Sequence, residues 1–270
     1  MTSTPETPAP RDARPRLLVT RPAARQEPFA GRARALGFET LAFPCVEIVP
    51  LPAFAPPPLP TLASYDAVLF VSRHAVEALV ARGSPPWPGV RTLAIGEATG
   101  AALERAGQPL ARAPVPPYTS EALIDALERE PPLGRLLVVR GRGGRRVLEA
   151  RQRERGTRVE TLEVYERRRP EPDERARRHA LIERPPAILS VTSDEILDNL
   201  VALAGDALPA LRPLPLVVNS ERGAALARRR GFAGPLTVAR PAGDEGQLAA
   251  LGRWLVRRRD GAAPATAPDR

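Results

Sequence analysis

The chain has 270 residues, 43% of them apolar, which suits a globular protein of one large domain or two small ones. Forty basic residues face 31 acidic ones for a formal net charge of +9, and all forty are arginine, which excludes Schiff-base chemistry on lysine. The single cysteine, Cys45, excludes an internal disulfide, and with only His74 and His179 beside it no metal site is expected.

Residues 1–15 and 260–270 are rich in Pro, Ala, Ser and Thr and are read as disordered tails. The N-terminus lacks the apolar core of a signal peptide, and no run reaches the roughly 18 to 20 apolar residues of a membrane helix, so a cytoplasmic protein with no membrane contact is expected. Between the tails one pattern recurs. RLLVT (16–20), DAVLFV (66–71), RTLAIG (91–96), RLLVVRG (135–141), AILSVT (187–192) and PLVVN (215–219) are short buried-type strands, each followed by a small or charged turn and a helix-periodic segment. Continuous apolar strands alternating with helices predict an α/β fold with parallel sheets covered on both faces.

Two segments depart from the alternation. PCVEIVPLP (44–52) and VETLEVYERRRPEP (159–172) are extended and bounded by proline. Read as paired linker strands over 44–52 and 160–172, they divide the chain into a discontinuous first domain, 16–45 plus 168–259, and a second domain, 50–163. Cys45 lies in an apolar run and is expected to be buried packing.

Ligands of parallel α/β folds bind beyond the carboxyl ends of the strands. Those ends are Thr20-Arg21, Ser72-Arg73, Gly96 to Thr99, Arg140 to Arg145, Thr192-Ser193 and Asn219-Ser220. No acid, base or nucleophile stands out among them, and Ser and Thr are equally the favoured helix N-caps. The set suits binding and positioning of several anionic groups more than proton chemistry. The longest of these turns, in LLVVRGRGGRRVLE (136–149), has glycines at 141, 143 and 144 that permit positive φ, so its N–H groups can converge on an anion beside Arg140, Arg142, Arg145 and Arg146. A helix starting near Gly144 would add its positive end. Such a turn also serves merely to reverse the chain, and it is not the dinucleotide fingerprint. From Arg140 to Arg184 there are 15 arginines against 9 acidic residues, +6 of the chain's +9.

Charge and the RGRGG string raise nucleic-acid binding as an alternative, but only 4% of residues are aromatic, leaving few stacking platforms, so no nucleic-acid partner is expected. A two-domain anion-binding protein without chemistry is the other alternative.

In order and spacing, LLVTRP (17–22), FVSRHAVEAL (70–79), AIGEATGAALERAG (94–107), TSEALIDAL (119–127), RGRGGRRVL (140–148), the VY at 164–165, VTSDEILDNL (191–200) and SERGAALARRRGF (220–232) resemble the uroporphyrinogen-III synthase family over about residues 16 to 256. The resemblance implies two flavodoxin-like or Rossmann-like parallel-sheet domains joined by a two-stranded β-ladder, with the active site in the interdomain cleft. It implies a monomeric lyase of haem biosynthesis, without cofactor, that cyclises hydroxymethylbilane with loss of water and inversion of ring D through a spirocyclic pyrrolenine. A transient contact with the preceding pathway enzyme is compatible with that role. The substrate carries eight carboxylates. By the same resemblance Tyr165 matches a recurrent tyrosine and is the candidate proton donor, with Thr99 the second catalytic candidate. Thr20, Arg21, Ser72, Gly96, Arg140, Gly141, Gly144, Arg145, Thr192, Ser193 and Ser220 are the candidate substrate-binding residues. Where the family often carries a threonine pair after the last-domain strand, this chain has Ser220-Glu221-Arg222. No single substitution at Thr99, Ser72 or Ser220 is expected to abolish turnover, because orientation is shared among many contacts, and substitution of Tyr165 is expected to cost more than any of those three.

Overall fold

The structure, a computed structural model, describes residues 14–51, 62–83, 86–116, 118–171 and 173–261. Most of both expected tails, 1–13 and 262–270, therefore lies outside the described residues. The described chain divides into two compact units, one formed by residues up to Glu47 together with Arg169 onward, the other by Ile48–Arg168.

In chain order the elements are β1 (Arg16–Val19), α1 (Gln26–Leu36), β2 (Glu39–Ala42), β3 (Glu47–Pro50), β4 (Ala67–Phe70), α2 (Arg73–Val80), β5 (Thr92–Ala94), α3 (Glu97–Arg105), α4 (Ser120–Glu128), β6 (Arg135–Gly141), α5 (Val147–Glu154) and β7 (Arg158–Arg168). There follow α6 (Glu174–Arg177), β8 (Ile188–Ser190), α7 (Asp194–Ala204), α8 (Leu208–Leu211), β9 (Leu216–Val218), α9 (Glu221–Arg229), β10 (Leu236–Val238) and α10 (Asp244–Arg259).

The first sheet runs β10-β9-β8-β1-β2 and is parallel throughout. Read from β2 this is the doubly wound order 2-1-3-4-5, whose switch point lies between β1 and β8. The second sheet runs β3-β7-β6-β4-β5, with β5-β4-β6-β7 parallel in the order 2-1-3-4. Its fifth place is taken by β3, from earlier in the chain, and its switch point lies between β4 and β6. The segments read as paired connectors are neighbours here, and Leu51 N–H donates to Val164 O at 3.1 Å. The structure adds that β7 is also the parallel partner of β6, so the ladder is the edge of the second sheet.

The alternation of each strand decides which core it feeds. In the second unit Val68, Phe70, Leu137 and Val139 pack with Val76, Leu79, Trp87 and Leu103 on one face, while Ala67, Leu69, Leu136 and Val138 pack with Leu123, Leu127 and Leu148 on the other. Every side chain of β4 is therefore buried, which is why it reads as an unbroken apolar run. In the first unit Leu17, Val19, Ile188 and Val217 meet Phe29 and Phe38 from the α1 side and Leu248, Leu251 and Leu255 from α10.

All six expected strands are present. Two further ones, β2 and β10, were not anticipated. ETLA and LTV lie at the two edges of the first sheet, largely half-buried, and carry too few apolar residues to register as buried runs. The helix expected near Gly144 begins at Val147.

Candidate active site

Among the described helices that follow the carboxyl ends of strands, three begin alike. Ser72, Ser193 and Ser220 cap α2, α7 and α9 from extended backbone near φ −155°, and their Oγ atoms accept from the N–H three residues on, at 3.2, 3.3 and 3.1 Å. A serine hydroxyl that accepts a cap bond keeps its own proton to donate. The first-turn N–H groups above each cap have no intrahelical partner. Each serine thus offers a carboxylate both a hydroxyl donor and a positive helix end. Ser193 and Ser220 are exposed, and Thr192, half-buried, accepts from Asn219 Nδ2 at 3.2 Å.

In the second unit the switch point gathers three candidates. Tyr165 Oη lies 2.9 Å from Ser72 Oγ, and its ring makes an edge contact with His74 at 5.7 Å. Gly141 lies beside it in register, and a Cβ there would fall 2.5 Å from Tyr165 Cζ. Tyr165 is 3% exposed. Gly96 caps α3, but Thr99 is the third residue of that helix, buried, and its N–H bonds to Gly96 O at 3.0 Å. Thr99 is therefore not a cap, and its side chain is buried.

The arginine and glycine turn departs from the expected anion cradle. Positive φ is found at Gly143 and Gly144, whereas Gly141 is the close-approach site beneath Tyr165. Arg140, expected to bind a carboxylate of the substrate, is turned inward. Its guanidinium donates to Gly141 O at 3.3 Å, Gly143 O at 2.5 Å, Arg145 O at 3.1 Å and the Glu149 carboxylate, with only 5% and 3% of the two side chains exposed. The loop closes on its own cation. Gly144 serves the same closure, since a Cβ there would stand 3.0 Å from Arg140 Nη2. Arg145 remains outside, 73% exposed and paired with Glu121 at 2.9 Å. Arg142 and Arg146 are likewise exposed and paired with Glu163 and Glu166. Such solvated pairs hold their arginines weakly.

Two candidates in the first unit are also corrected. Thr20 is fully buried and donates to Ser190 O at 2.7 Å, joining β1 to β8. Arg21 is 5% exposed, donates to Asp244 at 2.5 Å and lies 3.5 Å over the Phe29 ring. Desolvation lowers its guanidinium below the ordinary arginine range, against the opposing pull of Asp244. It ties the start of α10, where the Asp244 side chain is half exposed, to the end of β1.

A network that sequence reasoning missed joins these strand ends. Gln247, fully buried in α10, accepts from Ser190 Oγ at 2.8 Å and donates to Val191 O at 3.1 Å and Asn219 Oδ1 at 2.9 Å. Asn219 Oδ1 also accepts from Gly243 N at 3.3 Å. The one sequence signal was a polar residue on an otherwise apolar helix stripe. No cluster of three His, Cys, Asp or Glu able to hold a metal occurs among the described residues, and no helix among them is long and apolar enough to cross a membrane.

The family model described as uroporphyrinogen-III synthase HemD matches residues 27–244. The uroporphyrinogen-III synthases of Salmonella typhimurium and Escherichia coli are 36% and 31% identical to this chain over 248 and 245 residues, in each case 87% of this chain and 99% of the relative. In fold the chain resembles two solved structures. A mutant uroporphyrinogen III synthase of Thermus thermophilus aligns with TM-score 0.55 at 22% identity, over 91% of this chain and 99% of its own. The Helicobacter pylori enzyme aligns with TM-score 0.57 at 16% identity, over 88% and 97%.

Proposed function

The chain belongs to the uroporphyrinogen-III synthase family of haem biosynthesis, and we propose that it is a lyase closing hydroxymethylbilane to uroporphyrinogen III, with loss of water and inversion of ring D. The observation that carries the mechanism is the Tyr165 hydroxyl held 2.9 Å from Ser72 at the carboxyl end of the second sheet. In this reading Tyr165 supplies the proton with which the terminal hydroxyl leaves as water. The carbon–oxygen bonding pair departs with that water, and the pyrrole nitrogen stabilises the cation left behind. The substituted carbon of ring D then attacks to form the spirocyclic pyrrolenine, and the bond from that carbon to its original bridge breaks. The bridge carbon so released bonds to the free α-carbon of ring D, and the proton lost from that α-carbon as the ring regains aromaticity returns to the phenolate.

The remaining work is geometric. A flexible chain must be held so that the substituted carbon of ring D reacts, and well-oriented intramolecular reactions can gain about 7–11 kcal/mol from such positioning. The serine-capped helix starts at Ser193 and Ser220 in one unit, and the Gly96 helix start and the exposed Arg145 in the other, are the groups suited to the substrate carboxylates. Hydroxyl and backbone N–H donors fix direction, whereas an exposed arginine contributes mainly local charge. The enzyme is proposed to act as a cytoplasmic monomer that takes its labile substrate from the preceding enzyme, with no cofactor.

The test is to feed the purified protein freshly generated hydroxymethylbilane, quench, oxidise and separate the type I and type III uroporphyrins. Type III in excess, faster than the spontaneous closure, is expected. Type I alone at the blank rate would reduce the protein to an anion binder on the same scaffold.

A further inference from the structure

We propose that Ser72 stands between Tyr165 and the substrate, so that the phenol proton reaches the leaving hydroxyl through Ser72 Oγ, and that Gly141 is the positioning residue that admits the phenol ring. This rests on the reading of Tyr165 as proton source and specifies its route. Tyr165 is 3% exposed while Ser72 is only half-buried, so the serine is the member of the pair that a ligand meets first.

Hydrogen-bond accounting fits the relay. A hydroxyl oxygen has two acceptor sites and one proton. Ser72 Oγ accepts from Ala75 N–H at 3.2 Å, which leaves one acceptor site, and Tyr165 Oη at 2.9 Å is placed to fill it. The serine proton is then free to point outward. In the transfer it goes to the leaving hydroxyl as the tyrosine proton moves to Ser72 Oγ, giving one water, a neutral serine and a phenolate. The phenolate is reprotonated along the same path when the closing rings release their proton.

Gly141 makes the approach possible. Its φ is not positive, so glycine is not needed there for backbone conformation. It is needed for space, because a Cβ would meet Tyr165 Cζ at 2.5 Å, Cε2 at 2.6 Å and Oη at 2.9 Å. The next peptide on the same side holds the tyrosine's backbone, Arg142 N–H donating to Tyr165 O at 2.7 Å. Ser72 thereby parts from the other serine caps, none of which has such a partner behind it among the described residues.

The test compares Ser72→Ala, Ser72→Thr, Ser72→Asn, Gly141→Ala and Tyr165→Phe, measuring kcat and KM for type III formation and the rate in mixtures of light and heavy water. Ser72→Asn retains a helix cap without a hydroxyl, and Ser72→Thr retains both, so loss of the cap is separated from loss of the relay. Against the expectation from sequence that Ser72 matters less than Tyr165, Tyr165→Phe and Ser72→Ala are each expected to lower kcat by about 10²- to 10⁴-fold, the range of general acid catalysis, with KM within a few-fold. The double variant should be no worse than either single one, Ser72→Asn should resemble Ser72→Ala, and Ser72→Thr should recover most of the rate. Rate against heavy-water fraction should be curved in the natural enzyme, for two protons in flight. Gly141→Ala should lower kcat with the ring displaced. If Tyr165→Phe is slow but Ser72→Ala keeps kcat within tenfold, the tyrosine donates directly and the relay is overturned. If Tyr165→Phe turns over at the natural rate, the donor reading itself is lost and the relay with it.

Discussion

Arg140 and Glu149 form an ion pair from which water is nearly excluded. Removing one partner of such a pair leaves an uncompensated charge in a poorly solvated place and typically costs about 3–5 kcal/mol. Glu149→Gln, which keeps shape but removes the charge, should destabilise the protein by about 3 kcal/mol in urea unfolding and leave KM of the folded enzyme unchanged. A rise in KM without loss of stability would return Arg140 to the substrate. Cys45 makes a second case. Its Sγ is buried and donates to Phe43 O at 3.4 Å, and burial pushes the thiol well above the ordinary range. The folded state therefore keeps the proton after the unfolded state begins to release it, so this stabilisation is present below about pH 8.5 and is lost as pH rises beyond it. Thiol reagents at pH 8 should label Cys45 only as fast as the protein unfolds, and Cys45→Ala should flatten the alkaline fall in melting temperature. The burial of Cys45 was legible from its apolar neighbours. The inward turn of Arg140 was not, because a strand-end arginine reads the same in sequence whether it faces a ligand or the carbonyls of its own loop.

At the scale of elements, the serine caps were legible because cap and first turn are contiguous in the chain. Ser72, Ser193 and Ser220 each precede a helix-periodic run, and sequence left open only whether they cap, bind or do both. The Tyr165 contact with Ser72 bridges 93 positions and the Gln247 network about 57, and local pattern cannot report such distances. Gln247 gives the prediction here. Gln247→Leu would strand Ser190 Oγ–H, Val191 O and one bond of Asn219, at roughly 1–3 kcal/mol for each buried group that finds no new partner. Stability should fall by about 3 kcal/mol, and KM should rise with kcat little changed, because Asn219 immediately precedes the Ser220 cap. Unchanged stability would mean that water replaces the amide, and the network would lose its claim to fix the ends of β8 and β9.

Over the whole molecule, alternation of apolar strands with helices sufficed to predict parallel α/β sheets, and the ordered motifs pointed to the family. The edge strands β2 and β10 escaped because an edge strand buries less and needs fewer apolar residues to persist. Charge behaves differently at this scale from what forty arginines suggest. Those of the glycine turn and many elsewhere are matched to carboxylates, so a polyanionic substrate approaching from a distance meets a field set by the net +9. That field reaches about 10 Å at 0.1 M salt and about 3 Å at 1 M. Electrostatic steering raises association by roughly 10- to 1000-fold, and it vanishes as salt rises. For a substrate with eight carboxylates, kcat/KM should therefore fall by about tenfold or more between 0.05 and 1 M potassium chloride, toward the lower end of that range because many of the described surface arginines are already paired. The rate at saturation should move less than twofold, since in the proposed relay the proton passes between neutral hydroxyls rather than across an exposed ion pair. Steady-state kinetics over that salt series separates the two. A fall in kcat at constant KM would put an exposed arginine into the chemical step, and Arg145, the exposed one of the three candidate arginines, would be the first to substitute.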